Sequence, residues 1–135
     1  MSITKDSVMA LREKTGAGLI DCKRALGESN GDMEEAVSIL RKKGVATAAK
    51  KSGRSASEGM IAQAIPEDRS KGILVEVNCE TDFVAKNDDF VDFSNEIAKE
   101  LLYNPSADFE EKRTEQVAKI GENINILKLN NEQHF

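Results

Sequence analysis

At Ser52-Gly-Arg-Ser-Ala-Ser57 the spacing of apolar residues changes from three-and-four to two, which limits this chain to a helical half followed by a sheet-bearing half. Ahead of that hinge, Thr4 is placed to cap a first helix in which Val8 and Leu11 share a face. Thr15-Gly-Ala-Gly18 breaks it, because paired glycines permit a turn that side chains would block. A second helix then sets Leu19, Cys22 and Leu26 on one stripe with Ile20 and Lys23 beside it, and Gly27 and Asn30-Gly31 end it. Asp32 followed by Glu35 is a capping-box pattern; it opens a third helix whose Met33, Ala36, Val37 and Leu40 face inward and which Gly44 stops. Helices this short are unstable singly, so residues 1–44 must pack as a three-helix bundle. Residues 45–51 read as a connecting helix, completing a linker and hinge over 45–58.

Beyond the hinge, Met60, Ala62 and Ala64 alternate with Ile61, Gln63 and Ile65, the repeat of a strand. After the loop Pro66-Glu-Asp-Arg-Ser-Lys-Gly72, Ile73 to Asn78 makes a second strand antiparallel to the first. Asn87 or Asp88 can cap a helix with Phe90, Phe93, Ile97 and Leu101 at helical spacing, ended by Pro105. Phe109 to Lys119 reads as a more charged helix, and Asn123-Ile-Asn-Ile-Leu-Lys-Leu129 as a third strand. The expected fold class is α+β: an N-terminal three-helix bundle, then over 59–135 a small antiparallel sheet of about three strands covered by helices. Phe83 stands apart, between Asp82 and Val84 on a tight polar turn. Burying an aromatic is worth roughly 1.5–3 kcal/mol, so Phe83 either folds back onto its own core or needs a pocket elsewhere.

Composition removes several classes of function. The 135 residues make one domain, or one domain with a small appended module. Aromatics are 4% of the chain and Trp is absent, which leaves little to stack on single-stranded nucleic acid. Residues 41–54 carry six basic and no acidic side chains, whereas 55–135 carry eight basic against seventeen acidic, and the net charge is −5. Arg41, Lys42 and Lys43 fall where cations complement a helix dipole, and the acidic remainder would repel phosphate, so direct nucleic-acid binding is not expected. There is no apolar run of about 18 residues and no charged leader with an apolar stretch, which predicts a soluble chain, without membrane partners, that stays where it is made. Cys22 and Cys79 are far apart and lack CxxC spacing, the pattern of free buried thiols in a reducing compartment.

Convergent chemical groups are missing as well. His134 lies one residue from the C-terminus, and neither cysteine has a local base. Gly16-Ala-Gly18 lacks the third glycine and the preceding strand of a dinucleotide site, and no Walker-type loop is present. Asp88-Asp89 and Glu110-Glu111 are adjacent pairs, which on a helix point apart rather than converge on a metal. The expectation is a protein that is not an enzyme, with no cofactor and no metal.

Two segments carry a resemblance. Leu11-Arg-Glu-Lys-Thr-Gly-Ala-Gly-Leu-Ile-Asp-Cys-Lys-Arg-Ala-Leu26 is similar to the N-terminal signature of the elongation factor Ts family, and Val75-Glu-Val-Asn-Cys-Glu-Thr-Asp-Phe-Val-Ala-Lys86 to its second signature. Ala118-Lys-Ile-Gly-Glu-Asn-Ile124 resembles a third characteristic segment. The resemblance implies a cytoplasmic translation elongation factor that promotes GDP release from elongation factor Tu, binding it in its GDP-bound and nucleotide-free states. It also implies that the N-terminal bundle is similar to ubiquitin-associated domains and docks on the partner through Arg12, Leu19, Ile20 and Lys23, with Ile120 and Gly121 in further contact. Thr81, Asp82, Phe83 and Val84 match the segment associated with displacing the partner's magnesium ion, which makes Phe83 an outward wedge. The matched order, ending soon after Ile124, resembles the short forms of the family, expected to complete a half core by forming a homodimer. The region from Asn104 to Val117 looks shortened even against those. The alternative is a non-catalytic ubiquitin-associated-like binding module or an inactive partial copy.

Overall fold

Thr4 and Ser7 exchange side-chain-to-backbone hydrogen bonds at 3.0 and 3.1 Å, and this reciprocal cap starts the first of six helices among the described residues. The computed structural model describes residues 3–129. Its elements run α1 (Lys5–Thr15), α2 (Leu19–Glu28), α3 (Met33–Lys51), β1 (Glu58–Ala64), β2 (Ile73–Cys79), α4 (Asp82–Ala85), α5 (Asp88–Tyr103), α6 (Glu110–Ile120) and β3 (Asn125–Lys128). They divide into two compact units, one reaching Lys51 and including Thr114–Gly121, the other comprising Ser52–Arg113 and the chain from Glu122.

The first unit is helical. Gly16 ends α1 with φ 72° and donates its N–H to the Arg12 carbonyl, a left-handed cap that a side chain would strain. Leu11, Cys22, Ala25, Leu26, Ala36 and Leu40 form the core, with Val8, Met33 and Val37 packed against it. Leu19 was expected on that stripe, but it stands at the first position of α2 and is exposed; the buried stripe begins only at Cys22. Gly27 does not stop α2 either. The helix runs to Glu28, and the reversal is made by Asn30 and Gly31 at φ 54° and 85°. Asp32 caps α3 by accepting the Glu35 N–H, although its own N–H goes to the Ser29 carbonyl, so the box is one-sided.

Gly44 does not end α3, which continues unbroken through the expected connecting helix to Lys51. Gly44 is buried, and a Cβ there would lie 3.4 Å from the Cβ of Ala118 in α6. Its role is close helix approach, a use of glycine that a linear pattern cannot tell from a stop.

In the second unit β2 is the central strand of an antiparallel sheet ordered β1-β2-β3. The register pairs Ala62 with Val75 and Met60 with Val77, while Val77 also faces Ile126. Ile73, Val75, Val77 and Cys79 point to one buried face with Ala62 and Ala64. Phe90, Phe93, Ile97 and Leu101 of α5 are buried as the sequence spacing requires, and α5 packs on β1 and β2. Gly59, at φ 147°, has no room for a side chain: a Cβ would sit 2.1 Å from the Val77 carbonyl oxygen. β3 is shorter than expected, because Asn123 and Ile124 are buried and enter other contacts before the strand begins.

Candidate functional site

The expected site residues fall into two sets, one on each unit. In the first unit Arg12 is exposed in the last turn of α1, and after the Gly16 turn α2 opens with Leu19 and Ile20 in solvent, Ile20 at 75% exposure. Cys22, Ala25 and Leu26 anchor the opposite side of α2, so the helix can hold Ile20 and Lys23 outward without cost to its core. A Cβ on Gly16 would approach the Lys119 side chain to 3.3 Å, so the last turn of α6 runs past this turn. That brings half-buried Ile120 and Gly121 into the same unit, where Gly121 closes α6 at φ 87° and its carbonyl accepts the Lys51 ammonium at 2.6 Å.

The second set lies on the turn that leaves β2. Thr81 is the N-cap of α4, its hydroxyl accepting the Val84 N–H at 3.3 Å, and Phe83 occupies the second position of that one-turn helix. Phe83 is 83% exposed, which removes the reading that it folds back onto its own core. None of the four residues of α4 is buried. The turn lies against β1, β2 and α5 and is further held by polar contacts. One Glu122 carboxylate oxygen accepts the N–H groups of Glu80 and Thr81 at 3.1 and 3.0 Å, and the other accepts the Thr81 hydroxyl at 2.7 Å. Glu80 returns the contact, accepting the Asn123 N–H at 2.8 Å and lying 3.7 Å from the Arg54 guanidinium. Cys79 donates its thiol to the Thr81 carbonyl, and burial, then the Glu122 charge, pushes it up to about 11. It is an inert thiol at neutral pH. Burial likewise raises Cys22.

Sequence reasoning did not single out Glu80 or Glu122. They stand 42 residues apart, and no local pattern marks a carboxylate as the receptor of a distant turn's N–H groups. Within the basic stretch 41–54, Lys43 pairs with Asp21, Lys51 caps Gly121 and Arg54 meets Glu80, while Arg41, Lys42 and Lys43, expected in a last turn, lie mid-helix because α3 runs on to Lys51. Among the described residues no group of three or more His, Cys, Asp or Glu could hold a metal, and no helix is long and apolar enough to cross a membrane. His134 lies outside the described residues.

These features define an α+β protein whose candidate residues are mainly exposed side chains at the starts of α2 and α4, with Arg12 at the end of α1 and half-buried Ile120 and Gly121 at the end of α6. A family model described as elongation factor TS matches residues 80–134. The elongation factor Ts of Hydrogenovibrio crunogenus is 49% identical over 143 residues, a match covering 96% of this chain and 49% of the relative. That of Clostridium perfringens (strain SM101) is 49% identical, covering 92% and 46%, and that of Nautilia profundicola 50% identical, covering 95% and 46%. The chain belongs to the elongation factor Ts family. It spans about half the length of the curated relatives it matches.

Proposed function

We propose that this chain is a translation elongation factor that accelerates release of GDP from elongation factor Tu without catalysing bond chemistry. The observation that carries the reading is Phe83, an aromatic held 83% in solvent on a capped turn. In such a partner the nucleoside diphosphate is fixed by a phosphate loop and a magnesium ion. A protein with no nucleotide site of its own cannot compete for those contacts. It can bind more tightly to the state in which they are distorted, and nucleotide affinity then falls by the same factor. Burying Phe83 in the partner supplies free energy in that state alone, with Thr81, Asp82 and Val84 shaping the turn that displaces the magnesium ion. Arg12, Leu19, Ile20 and Lys23, with Ile120 and Gly121, dock the first unit on the partner in both its GDP-bound and nucleotide-free states. The setting is the cytoplasm, and neither nucleic acid nor membrane is a direct partner.

Labelled GDP loaded on elongation factor Tu tests this: catalytic amounts of the chain should speed its release. Binding without acceleration would instead identify a non-catalytic module or an inactive copy of the family. The same reading includes self-association. The sheet face opposite α5 leaves Ile61, Leu74 and Leu127 exposed, and such an apolar surface with open strand edges favours a second copy. Light scattering at micromolar concentration should show a dimer; a monomer with full exchange activity would remove the second copy from the mechanism.

A further inference from the structure

Resting on the reading of Phe83 as the exchange wedge, we propose that Glu122 is a positioning residue that pre-sets this wedge by bracing the turn beneath it. A four-residue helix has no intrinsic stability, and although α4 lies against β1, β2 and α5 with Val84 and Ala85 half-buried, none of its side chains is fully buried, so packing alone is a weak hold on the direction of Phe83. The polar frame supplies the directional hold. Glu122 accepts from both backbone N–H groups that lead into α4 and from the hydroxyl of its N-cap, and that hydroxyl in turn accepts the Val84 N–H directly after Phe83. Three charge-assisted bonds converge on one carboxylate two or three residues from the aromatic. Glu80 reverses the exchange, taking the Asn123 N–H while Arg54 flanks it, so the two segments are latched from both sides.

The functional consequence is pre-organisation. An aromatic that must insert between partner elements loses less freedom on binding when its turn is already fixed, and a small misplacement of a group at the point of action is costly in rate. Glu122 therefore acts through Phe83 and needs no contact with the partner. The conservative replacement is informative: a glutamine can still accept both N–H groups through its carbonyl and donate its amide to the Thr81 hydroxyl oxygen, which keeps a second lone pair for Val84. Alanine can do neither.

The test uses the full chain with elongation factor Tu carrying fluorescently labelled GDP, and the variants Glu122→Ala, Glu122→Gln, Phe83→Ala and the Glu122→Ala/Phe83→Ala double. In the free chain, Glu122→Ala should raise amide hydrogen exchange at Glu80, Thr81 and Val84 by about tenfold or more while Val75 and Val77 keep their protection. Equal loss of protection at Val75 and Val77, or none at the turn, would overturn the brace. In the release assay Glu122→Ala should slow exchange by roughly tenfold, Glu122→Gln should recover most of the rate, and the double variant should be no slower than Phe83→Ala alone. Multiplying effects in the double variant would show that Glu122 acts elsewhere and overturn the proposal. Failure of the underlying reading shows separately, as unaltered release by Phe83→Ala alone; a wedge that does not exist has no positioning residue.

Discussion

α2 and α4 both begin after a sharp break in the chain, and both carry an apolar side chain in solvent at their second position, Ile20 in one and Phe83 in the other. They hold it by opposite means. α2 runs ten residues and plants Cys22, Ala25 and Leu26 in a core, so Ile20 rides on apolar packing. α4 has four residues and no buried side chain, and Phe83 rides on carboxylate hydrogen bonds from a distant segment. The first solution needs length but tolerates change in any single polar contact. The second needs little chain and concentrates its dependence in a few residues, which suits the proposed role of α4 in pointing an aromatic at another protein.

Perturbations of folding should separate the two regions. The largest effect belongs to α2: Leu26→Ala, at a fully buried site, should cost about 2–5 kcal/mol in chemical denaturation. A loss under about 1 kcal/mol would mean that packing does not hold this helix start.

Next comes the thiol at the base of α4. Cys79 titrates near 9.0 when unperturbed and at about 11 in the fold. Between those values the unfolded chain has lost a proton that the native chain retains, so stability is complete below pH 9 and falls as pH rises toward 11. The loss should reach at most about 2–3 kcal/mol, read as the difference between wild type and Cys79→Ala denatured at pH 8 and pH 11. Parallel pH profiles for the two proteins would show that Cys79 ionises equally in both states.

Ile20→Ala should be smaller again, within about 0.5 kcal/mol of wild type in folding. Its effect should appear in affinity for elongation factor Tu, weakened about tenfold in a titration; unaltered affinity would take Ile20 out of the docking surface. Lys23→Ala should behave alike, since an exposed cation contributes about 0–1 kcal/mol to folding.

The same contrast explains what could be read from sequence. The core of α2 was legible because Cys22 and Leu26 repeat at helical spacing, and α5 was legible from Phe90, Phe93, Ile97 and Leu101 for the same reason. The strands followed from alternation, with β2 one residue longer than its apolar run because Cys79 still pairs with Glu58. Local pattern failed where a residue's meaning depends on a remote neighbour. Gly44 looked like a stop and is a contact point for Ala118; Gly59 drew no notice and is fixed by the Val77 carbonyl. Leu19 sat on the right stripe but beyond its end. For the candidate site, local pattern left the direction of Phe83 open and only the resemblance implied an outward wedge, while Glu122 lay inside a characteristic segment with nothing local to pair it with Thr81, 41 residues away.

The central claim is that Phe83 is held outward for use on a partner, and a single variant measured two ways tests it most directly. Phe83→Ala should leave the thermal melt nearly unchanged, because a side chain 83% exposed contributes little to the fold. The same protein should release labelled GDP from elongation factor Tu roughly tenfold to a hundredfold more slowly than wild type, the rate equivalent of about 1.5–3 kcal/mol of aromatic burial lost from the distorted complex. A steep fall in melting temperature together with normal release per folded molecule would contradict the account.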